Sequence, residues 1–280
     1  MRSSISYFFE EIIYKIFRFR YLLSSDANKN KKKVLVNGTP KTGTTWIIRM
    51  LTSIPGYRST GNFGYDILRF NNVKPGEVVH GHLPHTDELA ESLHNNSIKL
   101  IITLRDPRDQ LISGMFHIRF DKTNVWHQRV VEMSDDEVIN VLIEGPQGVD
   151  GYPRLGSVIS RMNISLSWLN SSFPVCCIRY EDLIKNPNRI LKSAFSDLEM
   201  DIDDSLVRRI IQKNRFERLT IGRKLWKQGR KAGQEDKLSH VRKGIIGDWR
   251  NYFTADHKKM FKESTGMLLI DLGYEHNSNW

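Results

Sequence analysis

The chain has 280 residues, 39% of them hydrophobic, enough to bury a substantial core as one α/β domain, and its formal net charge is +10. With a pI near 9.5 it calls for an anionic partner, although charge alone does not choose among a polyanionic ligand, a nucleic acid and an acidic membrane surface. Nothing repeats, and no stretch reaches the roughly 18 to 20 apolar residues of a membrane span, which excludes repeat arrays and helical membrane proteins.

At the N-terminus, SISYFFEEIIYKIFRFRYLLSS is interrupted by Glu10, Glu11, Lys15, Arg18 and Arg20, so it is neither a secretory core nor a membrane anchor. It reads as an amphipathic helix packed across the outside of its own domain, with peripheral membrane contact as the alternative. Ala27 to Lys33 (ANKNKKK) follows as a solvated linker, dividing residues 1–33 from a domain of residues 34–280. Further on, Cys176 and Cys177 are adjacent in an apolar, strand-like run. They read as core residues on opposite faces, not as a disulfide or metal pair, and point to a cytoplasmic protein.

Val34 to Trp46, VLVNGTPKTGTTW, predicts a buried strand, a glycine-bearing loop and the start of a helix. Successive backbone N–H groups in such a loop, with the positive end of the helix behind them, cradle an anion. Gly38 and Gly43 keep the glycine frame of Walker A, but Thr44 stands where that motif has its lysine, and the lysine lies inside the loop as Lys41. An anion here meets Lys41, the backbone of Gly43, the hydroxyls of Thr42, Thr44 and Thr45, and an aromatic plate at Trp46. PKTGTTW closely resembles the 5′-phosphosulfate loop of the cytosolic-type sulfotransferases, which use 3′-phosphoadenosine 5′-phosphosulfate (PAPS) as sulfuryl donor. The resemblance implies a P-loop-like α/β fold with a central parallel sheet flanked by helices.

After Pro55-Gly56, residues 61–72 show no clear period and read as loop. Glu77 to Gly81 (EVVHG) reads as the second strand, stopped at Pro84, which leaves His82 at a strand exit, the edge where ligands gather in parallel sheets. His82-Leu83-Pro84 resembles the family string that carries the catalytic base. Lys99 to Leu104 is the third strand and leads through Pro107 into a helix reaching Phe120. Arg105 and, eight residues later, Ser113 occupy the places of the family's arginine and serine on the ribose 3′-phosphate. A guanidinium at a strand end can hold a phosphate by two N–H bonds, and a helix hydroxyl can add a third.

Residues 121–133 carry no clean pattern, Ser134 and Glu137 form a capping-box pair opening a helix through Glu144, and Gly145 to Gly156 reads as a mobile loop. Ser157 to Leu169 reads as helix, Val175 to Tyr180 as the fourth strand and Pro187 to Leu198 as helix. By resemblance Tyr180 lies near the adenine, Phe216 stacks on it opposite Trp46, and Arg242-Lys243-Gly244 closes on the 3′-phosphate.

Two departures from the family stand out. His80 replaces a lysine that touches the transferred sulfuryl group, and is expected to donate a hydrogen bond there, more strongly below about pH 6.5. Arg250 to Lys259 matches the dimer motif poorly and leaves the oligomeric state open. In the mechanism the resemblance implies, His82 takes the proton from a small-molecule alcohol, phenol, amine or sugar, Lys41 neutralises the leaving oxygen, and neither a metal nor a nucleic acid takes part. The competing readings are a small-molecule kinase or NTPase, which needs a lysine at position 44 and a metal-holding acid at a strand end, and a nucleic-acid-binding module using the basic stretch Gly222 to Lys243.

Overall fold

Five strands pair into one fully parallel sheet: β1 (Lys33–Gly38), β2 (Arg58–Asn62), β3 (Glu77–His80), β4 (Ile98–Leu104) and β5 (Val175–Arg179), in the order β2-β3-β1-β4-β5. The computed structural model describes residues 31–145, 156–221 and 229–280, with Ile12, Lys15 and Ile16. Most of the expected N-terminal helix and linker, the interior of the loop Gly145 to Gly156, and residues 222–228 lie outside the described residues.

Alternation along the strands feeds two apolar layers. Val34, Val36, Val78 and Ile101 pack on one face against the helices Thr44–Leu51 and Pro187–Asp197. Leu35, Val79, Leu100 and Ile102 pack on the other face against the helix Asp87–Asn95 and Trp168. Covered on both faces, the inner strands need apolar residues at successive positions, which is why β1 and β4 read as continuous hydrophobic runs. From β1 the chain builds β2 and β3 on one side and then β4 and β5 on the other. Strand direction is shared, so the carboxyl ends of β1, β3, β4 and β5 release the loop at Thr39, the His82 segment, Arg105 and Tyr180 along a single edge, beside the point where the winding reverses.

Several local readings need correction. Residues 61–72 are not simply loop: Arg58–Asn62 forms the edge strand β2, and Ile67–Asn72 a 3-10 turn. The sequence RSTGN gives no apolar alternation because this strand is exposed and is held by backbone pairing to β3, with a register shift between Ser59 and Gly61. The second strand ends at His80, and the fourth ends at Arg179, so Tyr180 opens the helix Tyr180–Lys185. Cys176 is buried and Cys177 exposed, both as free thiols, so only one of the pair is a core residue. The stretch 121–133 contains a short helix, His127–Val130, and the helix Asp87–Asn95, capped by Thr86 accepting from Leu89 N–H, was not anticipated. The capping box of Ser134 and Glu137 forms as expected on the helix Asp135–Glu144.

Candidate active site

The loop after β1 is held by its own carbonyls. Thr42 Oγ1 donates to Thr39 O at 2.6 Å, Gln110 Nε2 to Pro40 O at 2.8 Å and Arg105 Nη1 to Lys41 O at 3.3 Å. Thr39 N–H is taken by Ser165 Oγ at 3.0 Å. At the strand exit only glycine fits: a Cβ on Gly38 would lie 2.4 Å from Thr103 Oγ1. The backbone is thereby fixed before any ligand arrives, with Gly43 as the N-cap of the helix Thr44–Leu51. The first N–H groups of that helix have no intrahelical partners.

His82 is fixed by the same strand end. Its Nδ1 lies 2.5 Å from Gly38 O, so that nitrogen carries the proton and Nε2 keeps its lone pair. Asn37 clamps the neighbouring residue from both sides, donating to Leu83 O and accepting from Leu83 N, each at 2.8 Å. Burial, joined by the charge of Lys41, holds the basicity of His82 below the usual imidazole range against the opposing bond to Gly38. His82 is therefore a neutral proton acceptor at pH 7. His80, its edge-to-face neighbour at 4.6 Å, is pushed down to about 4 by burial and by His82, and its Nε2 lies 3.2 Å from Thr44 Oγ1. The expectation that His80 gains charge near pH 6.5 is thus corrected: it stays neutral far below that, because burial beside other basic groups penalises its charged form.

The cations of the site fall into two sets. Lys41, depressed to about 8 by burial and then by Arg105 and Arg242, makes no ion pair among the described residues. Arg105 stacks on the Tyr180 ring at 4.3 Å, and its Nε is buried without a partner among the described residues. Arg242 instead pairs with Glu235 and Asp248, and Lys243 reaches Asp248 Oδ1 at 2.6 Å. This second arm is held against the helix Pro107–Phe120 by Asp109, which accepts from Gly247 N at 2.6 Å and Trp249 N at 2.9 Å. Gly244, at φ 65, lies on the Phe216 ring, where a Cβ would come within 2.2 Å. Trp46 Nε1 donates to Asn214 O at 2.8 Å, which ties one aromatic wall to the segment bearing the other.

These groups surround a cavity of about 560 Å³. Of the residues singled out in the sequence, Lys41, Gly43, Thr44, Thr45, Trp46, His82, Arg105, Ser113, Tyr180, Phe216, Arg242, Lys243 and Gly244 all line it. Thr42 does not: it is buried, and its hydroxyl is spent on Thr39 O and on Thr103 Oγ1 at 2.6 Å. The sequence reading missed Asn37, Asp109 and Asn214, which position the lining, and His117 and His240, which belong to it. His117 lies four residues past Ser113 on the same helix face, a spacing that offered the one available signal.

Among the described residues no Asp or Glu lines the cavity, whereas Lys41, Arg49, Arg105, Arg215, Arg242 and Lys243 do. The acids after β4 are committed elsewhere, Asp106 to Arg108 at 2.7 Å and Asp109 to backbone. Fold and cavity together define an α/β protein of the phosphate-loop type with a pocket for a polyanion flanked by an aromatic-binding slot. A sulfotransferase domain matches residues 61–273, and the chain belongs to that family. It is 24% identical to sulfotransferase 1B1 of Mus musculus over 257 residues, 81% of this chain and 79% of that one. It is 25% identical to an amine sulfotransferase of Oryctolagus cuniculus, covering 88% of this chain and 86% of the relative. The fold is similar to mouse sulfotransferase SULT7A1 complexed with PAP, with TM-score 0.64, 21% identity and 88% of each chain covered. It is also similar to retinol dehydratase in complex with retinol and PAP, with TM-score 0.59, 16% identity and 91% and 86% covered.

Proposed function

We propose that this sulfotransferase-family protein uses PAPS and transfers its sulfuryl group to a hydroxyl or amine of a small molecule, with His82 as general base and residues 34–280 as the transfer domain. The observation that carries this reading is the bond from His82 Nδ1 to Gly38 O, which leaves Nε2 unprotonated in a cavity it shares with Lys41. When bound, PAPS supplies an activated sulfuryl group on a phosphate leaving group. His82 takes the acceptor's proton at Nε2, and Lys41 sets a positive charge where negative charge develops on the leaving oxygen. Thr44, Thr45 and the loop N–H groups hold the 5′ side, Arg105, Ser113, Arg242 and Lys243 the 3′-phosphate, and Trp46 and Phe216, with Tyr180 beside them, the adenine. The cations Lys41, Arg105, Arg242 and Lys243 that line the cavity, Lys41 without an ion pair among the described residues, support a fit to such a polyanion.

Neither competing reading gains support. A kinase would need a lysine at Thr44 and an acid facing the cavity, and within the basic stretch Arg230 turns inward, donating to Arg242 O at 2.5 Å and to Gln234 O at 2.7 Å, and is not free for a nucleic acid. The test is ligand discrimination. PAP, 3′,5′-bisphosphoadenosine, is expected to raise Tm far more than AMP or ATP, and labelled PAPS to yield a sulfated product across a panel of acceptors. Equal shifts for ATP and PAP, or shifts that depend on Mg²⁺, would overturn the assignment.

A further inference from the structure

Two imidazoles of the cavity take no part in the chemistry above. His117 projects from the helix Pro107–Phe120 one turn beyond Ser113, and His240, exposed at the rim, lies two residues before Arg242. Their rings meet edge to face with centroids 5.5 Å apart. Across the same cavity stands the second pair, His80 and His82. Burial comes first, and the charge of Lys41 then adds to it, in lowering the basicity of both His82 and His117, so one ammonium faces the base and the first imidazole of the additional pair.

His117 Nδ1 is buried and makes no hydrogen bond among the described residues. That atom is closed off from the cavity as well, so Nε2 is the nitrogen that His117 presents to an occupant, beside the ring of His240. A neutral imidazole donates at one nitrogen and accepts at the other, which complements a hydroxyl that does both. An acceptor with a single reacting hydroxyl on an otherwise apolar ring offers these two side chains nothing.

We propose that His117 and His240 bind a second oxygen of the acceptor, so that the cavity selects molecules carrying a hydroxyl next to the reacting one over their monohydroxyl counterparts. This rests on the reading of the cavity as the transfer site, with His82 receiving the proton of the first hydroxyl. Titration calorimetry of the full chain saturated with PAP, using phenol and catechol as probes, tests it. Catechol is expected to bind about tenfold more tightly, the equivalent of one well-made hydrogen bond. His117→Phe and His240→Phe are each expected to bring the two affinities together while the rise in Tm on adding PAP persists, showing that the fold and the donor site remain. Equal affinities for phenol and catechol in the unmodified protein overturn the proposal whatever the variants do, and so does a catechol preference that survives both substitutions. If PAP fails to stabilise the protein, the donor assignment falls, and the same titrations without PAP still decide the role of the histidine pair.

Discussion

In the loop arm of the cavity, Thr39 to Thr45, the backbone is tied by Thr42, Gln110 and Arg105, while Lys41 and Arg105 make no ion pair among the described residues, Asp109 and Glu181 acting on Arg105 only through space. In the opposite arm, from Arg230 to Asp248, Arg242 is matched by Glu235 and Asp248, and Lys243 by Asp248. One arm is neutral by hydrogen bonding and positive by design of its side chains; the other is folded by the ion pairs it would share with a ligand. An anion entering the first meets charge that is already exposed to it. Entering the second, it competes with Asp248, which is 1% exposed. The loop arm should therefore govern chemistry and charge recognition, and the second arm should couple ligand binding to its own stability.

The largest expected effect lies beside the loop arm, at His82, which bonds to Gly38 O. His82→Ala should lower kcat about a thousandfold while leaving the rise in Tm with PAP intact, because the base touches the acceptor and not the donor's phosphates. Near-normal turnover in that variant would break the assignment. In the unmodified enzyme, kcat/KM should hold as pH falls to the ordinary imidazole value of 6.5 and decline only in more acid solution, since His82 titrates below that value.

Next in size is the contrast between two arginines. Arg242→Ala leaves the buried Asp248 with only Lys243 and Asn251, and should cost about 3 kcal/mol in urea unfolding. Arg105→Ala breaks no ion pair among the described residues and should instead lower PAP affinity by about tenfold or more, with little change in unfolding. Equal stability losses would erase the distinction between the arms. Asp109→Asn should act mainly on the second arm: losing one of two N–H contacts, it should weaken PAP binding by about tenfold, with turnover at saturating donor preserved.

The smallest effect is a proton count. Lys41, held at about 8 by burial and then by Arg105 and Arg242, is largely neutral above that value in the free protein. A bound polyanion raises its affinity for a proton, so PAP binding at about pH 9 should take up part of a proton, read from calorimetry in buffers of different ionisation heat. Absence of uptake would show that Lys41 does not face the ligand's charge.

Much of the molecule was legible because its signals are local. The strand, glycine loop and helix from Lys33 to Leu51, the Pro107 helix start and the Ser134–Glu137 capping box are each written in contiguous residues at fixed spacing. Of the residues gathered round the cavity, those at strand exits were legible because parallel strands place every exit at one edge, and Ser113, Phe216 and Arg242 to Gly244 only through the family resemblance. The exposed edge strand β2 was not, because a strand held by backbone pairing needs no side-chain pattern. By itself, then, the sequence determined the fold class, the loop with its displaced lysine, and most of the candidate residues that meet at the cavity, with Thr42 wrongly included and His117 and His240 missed. Tertiary structure alone decided the tautomer of His82, the neutrality of His80, the pairing of Arg242 with Asp248, and the clamps of Asn37, Asp109 and Asn214. Those properties are sums of desolvation and hydrogen bonding over neighbours brought from distant segments, such as Gly247 onto Asp109 across 138 residues, and no local pattern records them.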